Sequence, residues 1–398
     1  MTDRLGQQAR RFPLVARPRP TCTPLAERVT DLQRRAVTAA CNRDTAAATS
    51  VFNLAALLAS DCGLPDLARQ WSARLARVSL ARPPRDVRSA THSLEPLINL
   101  ARLRTRAGDG AGAWMTLERL YLAVTTRTDI NIDGVTVPAS RLLPDRTEHR
   151  DLRRWLWAVL LSSGAHALAA AGRWDDAHRR LEHHRGIGRR MLDGRQIAVI
   201  ANAAAGRHNQ ALSLLHDTEP GETWEQAVTA CLTLLCRQNP THTDRSRAVH
   251  AFQTLSTTAA GLAVFRTRLG LCLTDALGAA HQPVTRSIII DIYRHAAHDG
   301  YAARDLLTHP VASEVLTEQQ MRQLSNRVDA CGLDAAELPD STLAQLTQAL
   351  DIAESVLTPT TQGEEGNRST RHPGDHHGHP STAPDRATFP SIPRRLGG

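Results

Sequence analysis

The stretch of this chain best equipped for chemistry runs from position 185 to 195, where Arg185, Arg189, Arg190 and Arg195 are interleaved with Gly186 and Gly188. Glycines leave backbone N–H groups bare, and a guanidinium is a rigid fork of donors, so together they could hold a carboxylate or a phosphate. Arg185, Arg189 and Arg190 are therefore candidates for contact with an anion or an acidic peptide, against the plainer alternative of a solvated loop. The Gly-x-Gly itself does not make a dinucleotide loop, because the third glycine is missing and helical stretches flank it where a strand should precede it. Asp291, His295 and His298 fall at i, i+4 and i+7, and His178 stands four residues before Glu182. Metal ligands use such spacing, but H-E-x-x-H is absent, no further ligand fits the first set and the second is followed only by His183 and His184, so hydrogen bonding on a helix surface is expected. His372, His376, His377 and His379 form a tract that would pick up divalent metal in a test tube. There is no Gly-x-Ser-x-Gly elbow and no P-loop. The expectation is no catalytic residue, no cofactor and no metal site.

What must position these residues is a set of helices joined by a recurring corner. Gly172-Arg173-Trp174-Asp175-Asp176-Ala177 and Gly206-Arg207-His208-Asn209-Gln210-Ala211 lie 34 residues apart. In Gly-x4-Ala the glycine can end one helix in a backbone shape that bulkier residues resist, and the alanine lets the partner helix come close. Gly63 with Ala68, and Gly108 with Ala113, repeat the phrase at wider intervals that call for inserts. One insert is legible at 128–144. There Ile130, Ile132, Val135 and Val137 alternate around Asp133-Gly134, a hairpin signal. Helical sequence is expected from 25 to 40 and over 51–60, with another start at Leu64-Pro65-Asp66. Thr223 and Gln226 read as a capping box for a helix over 224–238. Further helices are expected near 244–256, 261–278, 285–298, 302–307, 313–330 and 341–357, so 222–357 is either degenerate repeat or a helical cap.

Composition bounds the rest. The 398 residues include 41% hydrophobic but only 4% aromatic side chains, which suits packed helices better than sheets. All 48 basic residues are arginine and the net charge is +8, which allows a polyanionic partner such as nucleic acid or simply a solvated basic surface. Residues 1–24 carry Arg10, Arg11, Arg17 and Arg19 among four prolines and read as a flexible basic arm. The seven cysteines are scattered with no C-x-x-C, as in reduced, buried thiols of a cytoplasmic protein. The run 155–172 lacks charge but is mostly alanine with serine, glycine and histidine, so a buried helix is expected and no membrane span. Residues 358–398 are rich in Pro, Gly, Ser, Thr and His and read as a disordered tail.

The phrase at Gly172–Ala177 resembles the Gly-Asp-Tyr-x-x-Ala junction of the tetratricopeptide (TPR) repeat, whose period is 34 residues. The match spans roughly 51–220 and lacks the family's tyrosine and closing proline at most corners. Carried back from the four glycines, its small first-helix position falls on Ala56, Ala101, Ala165 and Val199. The segments ASDCGLPDLARQW, PLINLARLRTRAGDG and GIGRRMLDGRQ are also similar to an uncharacterised helical-repeat family of actinobacterial proteins. The resemblance implies an all-α TPR-like superhelix over 25–357 that binds peptide segments in a groove lined by first helices. Helix phase puts Asn53, Asn99, Arg102, His166, Arg195 and Asn202 on that groove, where an asparagine amide could both donate to and accept from a ligand backbone. The expected function is a regulatory, non-catalytic scaffold for a protein or peptide, with oligomeric state open. The alternatives are a nucleic-acid-associated regulator, and an accessory protein or enzyme of a biosynthetic pathway.

Overall fold

A computed structural model describes residues 9–255, 261–278 and 283–358. The protein is all-α apart from one hairpin. Helices α1 (Leu25–Asn42), α2 (Thr45–Asp61), α3 (Pro65–Leu80), α4 (Val87–Arg106) and α5 (Gly110–Thr126) precede the strands β1 (Ile130–Ile132) and β2 (Val135–Val137). Then come α6 (Arg146–Val159), a π turn (Leu160–Gly164) and α7 (Ala165–Ala170), which form one continuous run. They are followed by α8 (Trp174–His183), α9 (Asp193–Ala204), α10 (His208–His216), α11 (Thr223–Cys236), α12 (His242–Gln253) and α13 (Ala263–Leu277). The last are α14 (Pro283–Ala296), α15 (Gly300–Leu307), α16 (Pro310–Val315), α17 (Glu318–Ala330) and α18 (Asp340–Leu357).

The four glycine corners are built alike. Gly63, Gly108, Gly172 and Gly206 all have left-handed backbone, with φ between 74° and 80°. In each, the glycine N–H reaches back three residues and the next N–H reaches back five, as in Gly206 to Ala203 (3.1 Å) and Arg207 to Asn202 (2.8 Å). This closure satisfies carbonyls that a helix end leaves without partners. The alanine five residues on (Ala68, Ala113, Ala177, Ala211) is fully buried every time. A fifth corner carries no glycine. Arg43 adopts φ 51°, Asp44 N–H bonds Ala39 O at 2.9 Å, and Ala48 is buried in the matching place.

From α1 to α16 each helix packs on the next, and a second set of contacts links α2 to α4, α4 to α7, α7 to α9, α9 to α11, α11 to α13, α13 to α15 and α15 to α17. These alternate helices form a row, and Ala56, Ala101, Ala165 and Val199 on them are all buried. Gly164 lets α7 sit against Trp114, since a Cβ there would lie 2.9 Å from the indole. The contacts then return to their start: α18 packs along α1 and α2, and the backbone of Asp334 and Ala336 bonds the carbonyls of Asp61 and Cys62, each at 2.8 Å. The hairpin forms in the expected register, Ile130 opposite Val137, and leans on α3 and α5.

Three expectations need correction. The N-terminal segment is not a loose arm over its described part, residues 9–24. Phe12, Leu14 and Cys22 are buried, so apolar side chains among the arginines find a core far along the chain. The cap of α11 is Glu222 paired with Glu225, not Thr223 with Gln226. The predicted helix over 313–330 breaks into α16 and α17, because Thr317 caps a new start through the N–H of Gln320. Residues 1–8 and the tail from 359, with its four histidines, lie outside the described residues.

Candidate functional site

The segment 9–24 lies across the row of alternate helices. Gln196 of α9, itself fully buried, accepts the Leu14 N–H and donates to the Leu14 carbonyl, each at 2.7 Å. One side-chain amide thereby satisfies both backbone groups of an extended residue. Arg17 pairs with Asp193 on the same helix (2.7 Å), and Arg11 with Asp275 on α13 (2.8 Å). Further on, the Cys22 carbonyl accepts from Gly300 N–H at 3.0 Å, and Gly261 closes over the segment by accepting from Arg19 N–H at 3.0 Å. A Cβ on Gly261 would fall 2.6 Å from the Arg19 carbonyl, so only glycine allows this approach.

Beside the segment the wall continues through three of the predicted groove residues. Asn99 Nδ2 donates to Asn53 Oδ1 at 2.9 Å, and Arg102 donates to Asn99 Oδ1 at 2.8 Å. The two asparagines are half-buried and Arg102 is exposed. Arg102 stands among protein groups, with Arg17 near, and crowding holds its pKa below the usual arginine value. His166 of α7 lines a cavity with Arg19 and Arg268. Burial there lowers its pKa, opposed by Asp193 and aided by Arg268, Arg19 and Arg17, so its neutral form is favoured.

The remaining two groove candidates belong elsewhere. Arg195 is buried, with Nε on Thr218 (2.9 Å) and its two terminal nitrogens on the carbonyls of Gly188 (2.9 Å) and Leu214 (2.5 Å). It ties the 185–192 loop to the end of α10 and has no donor pair left for a ligand. Asn202 is buried too, donating to Ala198 O and accepting from Arg207, so it braces the Gly206 corner. Helix phase alone could not separate these two from Asn99, because it says which face a residue takes and not which partner reaches it first.

The anion-contact loop is also largely spent. Arg190 grips the buried Glu225 with both nitrogens, and Glu225 further accepts from Met191 N–H at 3.2 Å. Burial, the largest single influence, pushes the Glu225 pKa up, but those bonds and the Arg190 charge together outweigh it and hold the pKa below the usual carboxylate value. Arg189 pairs with Glu219 at 3.1 Å on the surface. Arg185 is exposed at φ 54° and has no carboxylate partner among the described residues. Asp291 pairs with Arg266 at 2.8 Å, and among the described residues no three His, Cys, Asp or Glu side chains are grouped to hold a metal.

Sequence reading missed the buried carboxylate that joins the first helices to the last. Asp61 accepts from Arg28 and Arg106 (each 2.9 Å) and from the Tyr301 hydroxyl, and Arg28 also donates to Cys331 O at 2.7 Å. Burial beside Asp61 pushes the Tyr301 phenol well up, so it stays a donor. Only the Asp at a helix end was visible in the sequence. Comparison of the chain with family models, with curated proteins and with solved structures gave no match. No helix among the described residues is long and apolar enough to cross a membrane.

Proposed function

We propose that this chain is a non-catalytic scaffold of TPR-like, superhelical type that holds an extended protein or peptide segment along its row of alternate helices, in a regulatory and cytoplasmic setting. The observation that carries this is the Gln196 amide on both backbone groups of Leu14, which is how a helical wall grips extended chain irrespective of its side chains. The chain's own residues 9–24 occupy that part of the wall. The neighbouring Asn53, Asn99 and Arg102 are bonded to one another and offer the same kind of group: the Asn53 amide nitrogen for a backbone and an exposed guanidinium for an acidic side chain. Four corners of one design support the repeat, and repeated pairs create a long wall where each unit contributes a few polar groups.

The test is quantitative capture of partners from the native host with the full chain and with the pair of changes Asn99→Ala and Arg102→Ala. Partners recovered by the parent protein should fall roughly tenfold with the variant, as expected for loss of a charge-assisted contact and its neighbour. Equal recovery by both overturns the proposal. Binding to nucleic acid has less support, because Arg11 and Arg17 of the basic segment are already paired with aspartates. A salt titration with duplex DNA separates the two, since phosphate contacts lose affinity steeply as salt rises.

A further inference from the structure

Where the segment 9–24 passes between the first and last helices it leaves a cavity of about 700 Å³. Arg19 and Pro20 of the segment, Arg106 of α4, His166 of α7, Arg268 of α13, and Tyr301 and Arg304 of α15 all line it. Leu57, Leu103 and Pro65 supply an apolar side.

Its charges do not balance. Arg106 shares Asp61 with Arg28, Arg268 pairs with Asp305 at 2.6 Å, and Arg304 pairs with Asp334 at 2.8 Å. Arg19 has no carboxylate or carbonyl partner for its guanidinium among the described residues. Four arginines (Arg19, Arg106, Arg268 and Arg304) thus line the cavity with two carboxylates (Asp61 and Asp334), leaving two positive charges in surplus along its lining. Burial and the neighbouring Arg268 and Arg106 hold the Arg19 pKa below its usual value, with Asp305 and Tyr301 opposing.

We propose that this cavity binds a phosphate monoester, with Arg19 as the principal ligand and Arg106, Arg268 and Arg304 around it. Two surplus charges match a dianion. Donors carried by four separate elements suit a tetrahedral head, whose oxygens point apart, whereas one guanidinium fork already saturates a planar carboxylate. The apolar side would take the body of the ester. Occupancy would neutralise the charge that now disfavours closing the segment over the last helices. This site does not depend on the alternate-helix wall receiving a partner segment.

The probes are inorganic phosphate and phenyl phosphate, with succinate and sodium chloride at equal ionic strength as controls, added to the full chain and followed by calorimetry and thermal melting. Both phosphates should bind and raise the melting temperature, phenyl phosphate more, while succinate and chloride do neither. Arg19→Gln should weaken phosphate binding roughly tenfold or more, the weight of one charge-assisted contact. Because the Arg19 side chain is unpaired, its melting temperature without ligand should match the parent's, or exceed it. Arg19→Lys should recover part of the affinity. No binding, equal binding to succinate, or binding that survives Arg19→Gln but is lost in Arg185→Gln/Arg189→Gln each overturns the proposal.

Discussion

Arg195 on α9 and Arg102 on α4 hold comparable places in the row of alternate helices, yet they do opposite things. Arg195 is buried with its donors on Thr218, Gly188 and Leu214, whereas Arg102 is exposed and bonded to Asn99. The same split separates Arg190, locked on buried Glu225, from Arg19, which lines a cavity and has no carboxylate paired to it among the described residues. In a chain whose basic residues are all arginine, residue type therefore says little about function. What decides is whether the local turn supplies carbonyls and carboxylates before solvent or a ligand does. Arg190 and Arg195 are consumed by a nearby carboxylate and nearby carbonyls, whereas Arg19 and Arg102 have no carboxylate paired to them among the described residues.

That contrast can be broken by substitution. The largest effect is expected from Glu225→Ala, which strands Arg190 and frees two backbone N–H groups, Met191 and Glu222. It should cost about 3 kcal/mol, the lower end for breaking a buried ion pair because Arg190 is partly exposed, and denaturant unfolding measures it. Arg195→Ala should cost about 2 kcal/mol through three lost hydrogen bonds, one of which leaves the Gly188 carbonyl without its partner, read in the same assay. Gln196→Ala should cost about 1–2 kcal/mol and speed hydrogen exchange at the Leu14 amide, since both its backbone groups lose their partner. Arg102→Ala, by contrast, should shift stability by less than about 0.5 kcal/mol while reducing partner capture. If Arg102→Ala destabilises as much as Arg195→Ala, the distinction fails.

A pH effect sharpens the contrast from the other side. The His166 pKa is lowered in the folded protein, so the unfolded chain takes up the proton first as pH falls. Its contribution to stability is present above the unfolded histidine value of about 6.5 and is lost below it, down to the folded pKa. Acidification should therefore lower the melting temperature in that window, and His166→Gln should flatten that slope. A slope unchanged by the substitution would place His166 outside the charged space.

Much of the architecture was legible because its corners need unusual backbone. Gly63, Gly108, Gly172 and Gly206 announce left-handed turns that few other residues adopt, and a buried alanine five positions later completes the signal. The corner at Arg43 was hidden because an arginine holds that shape there, and nothing in its side chain reveals it. The site was only partly legible. Asn53, Asn99 and Arg102 are joined by hydrogen bonds across α2 and α4, and His166 lines the cavity beside Arg19, but Arg195 and Asn202 were claimed by nearby carbonyls and by the corner. The burial of residues 9–24 could not be read at all, since prolines and arginines look unburied until Gln196, Asp275 and Asp299 are brought to them from far along the chain.

The packing of α18 along α1 and α2 carries a consequence for synthesis. A string of helices touching only successive neighbours can grow one unit at a time and fray from either terminus. Here α18 covers α1 and α2, so the flank of α1 and α2 that it packs on stays uncovered on the ribosome until α18 has emerged. Premature termination anywhere before Asp340 should thus expose that flank and send the product to chaperones or proteases, however well its remaining helices fold.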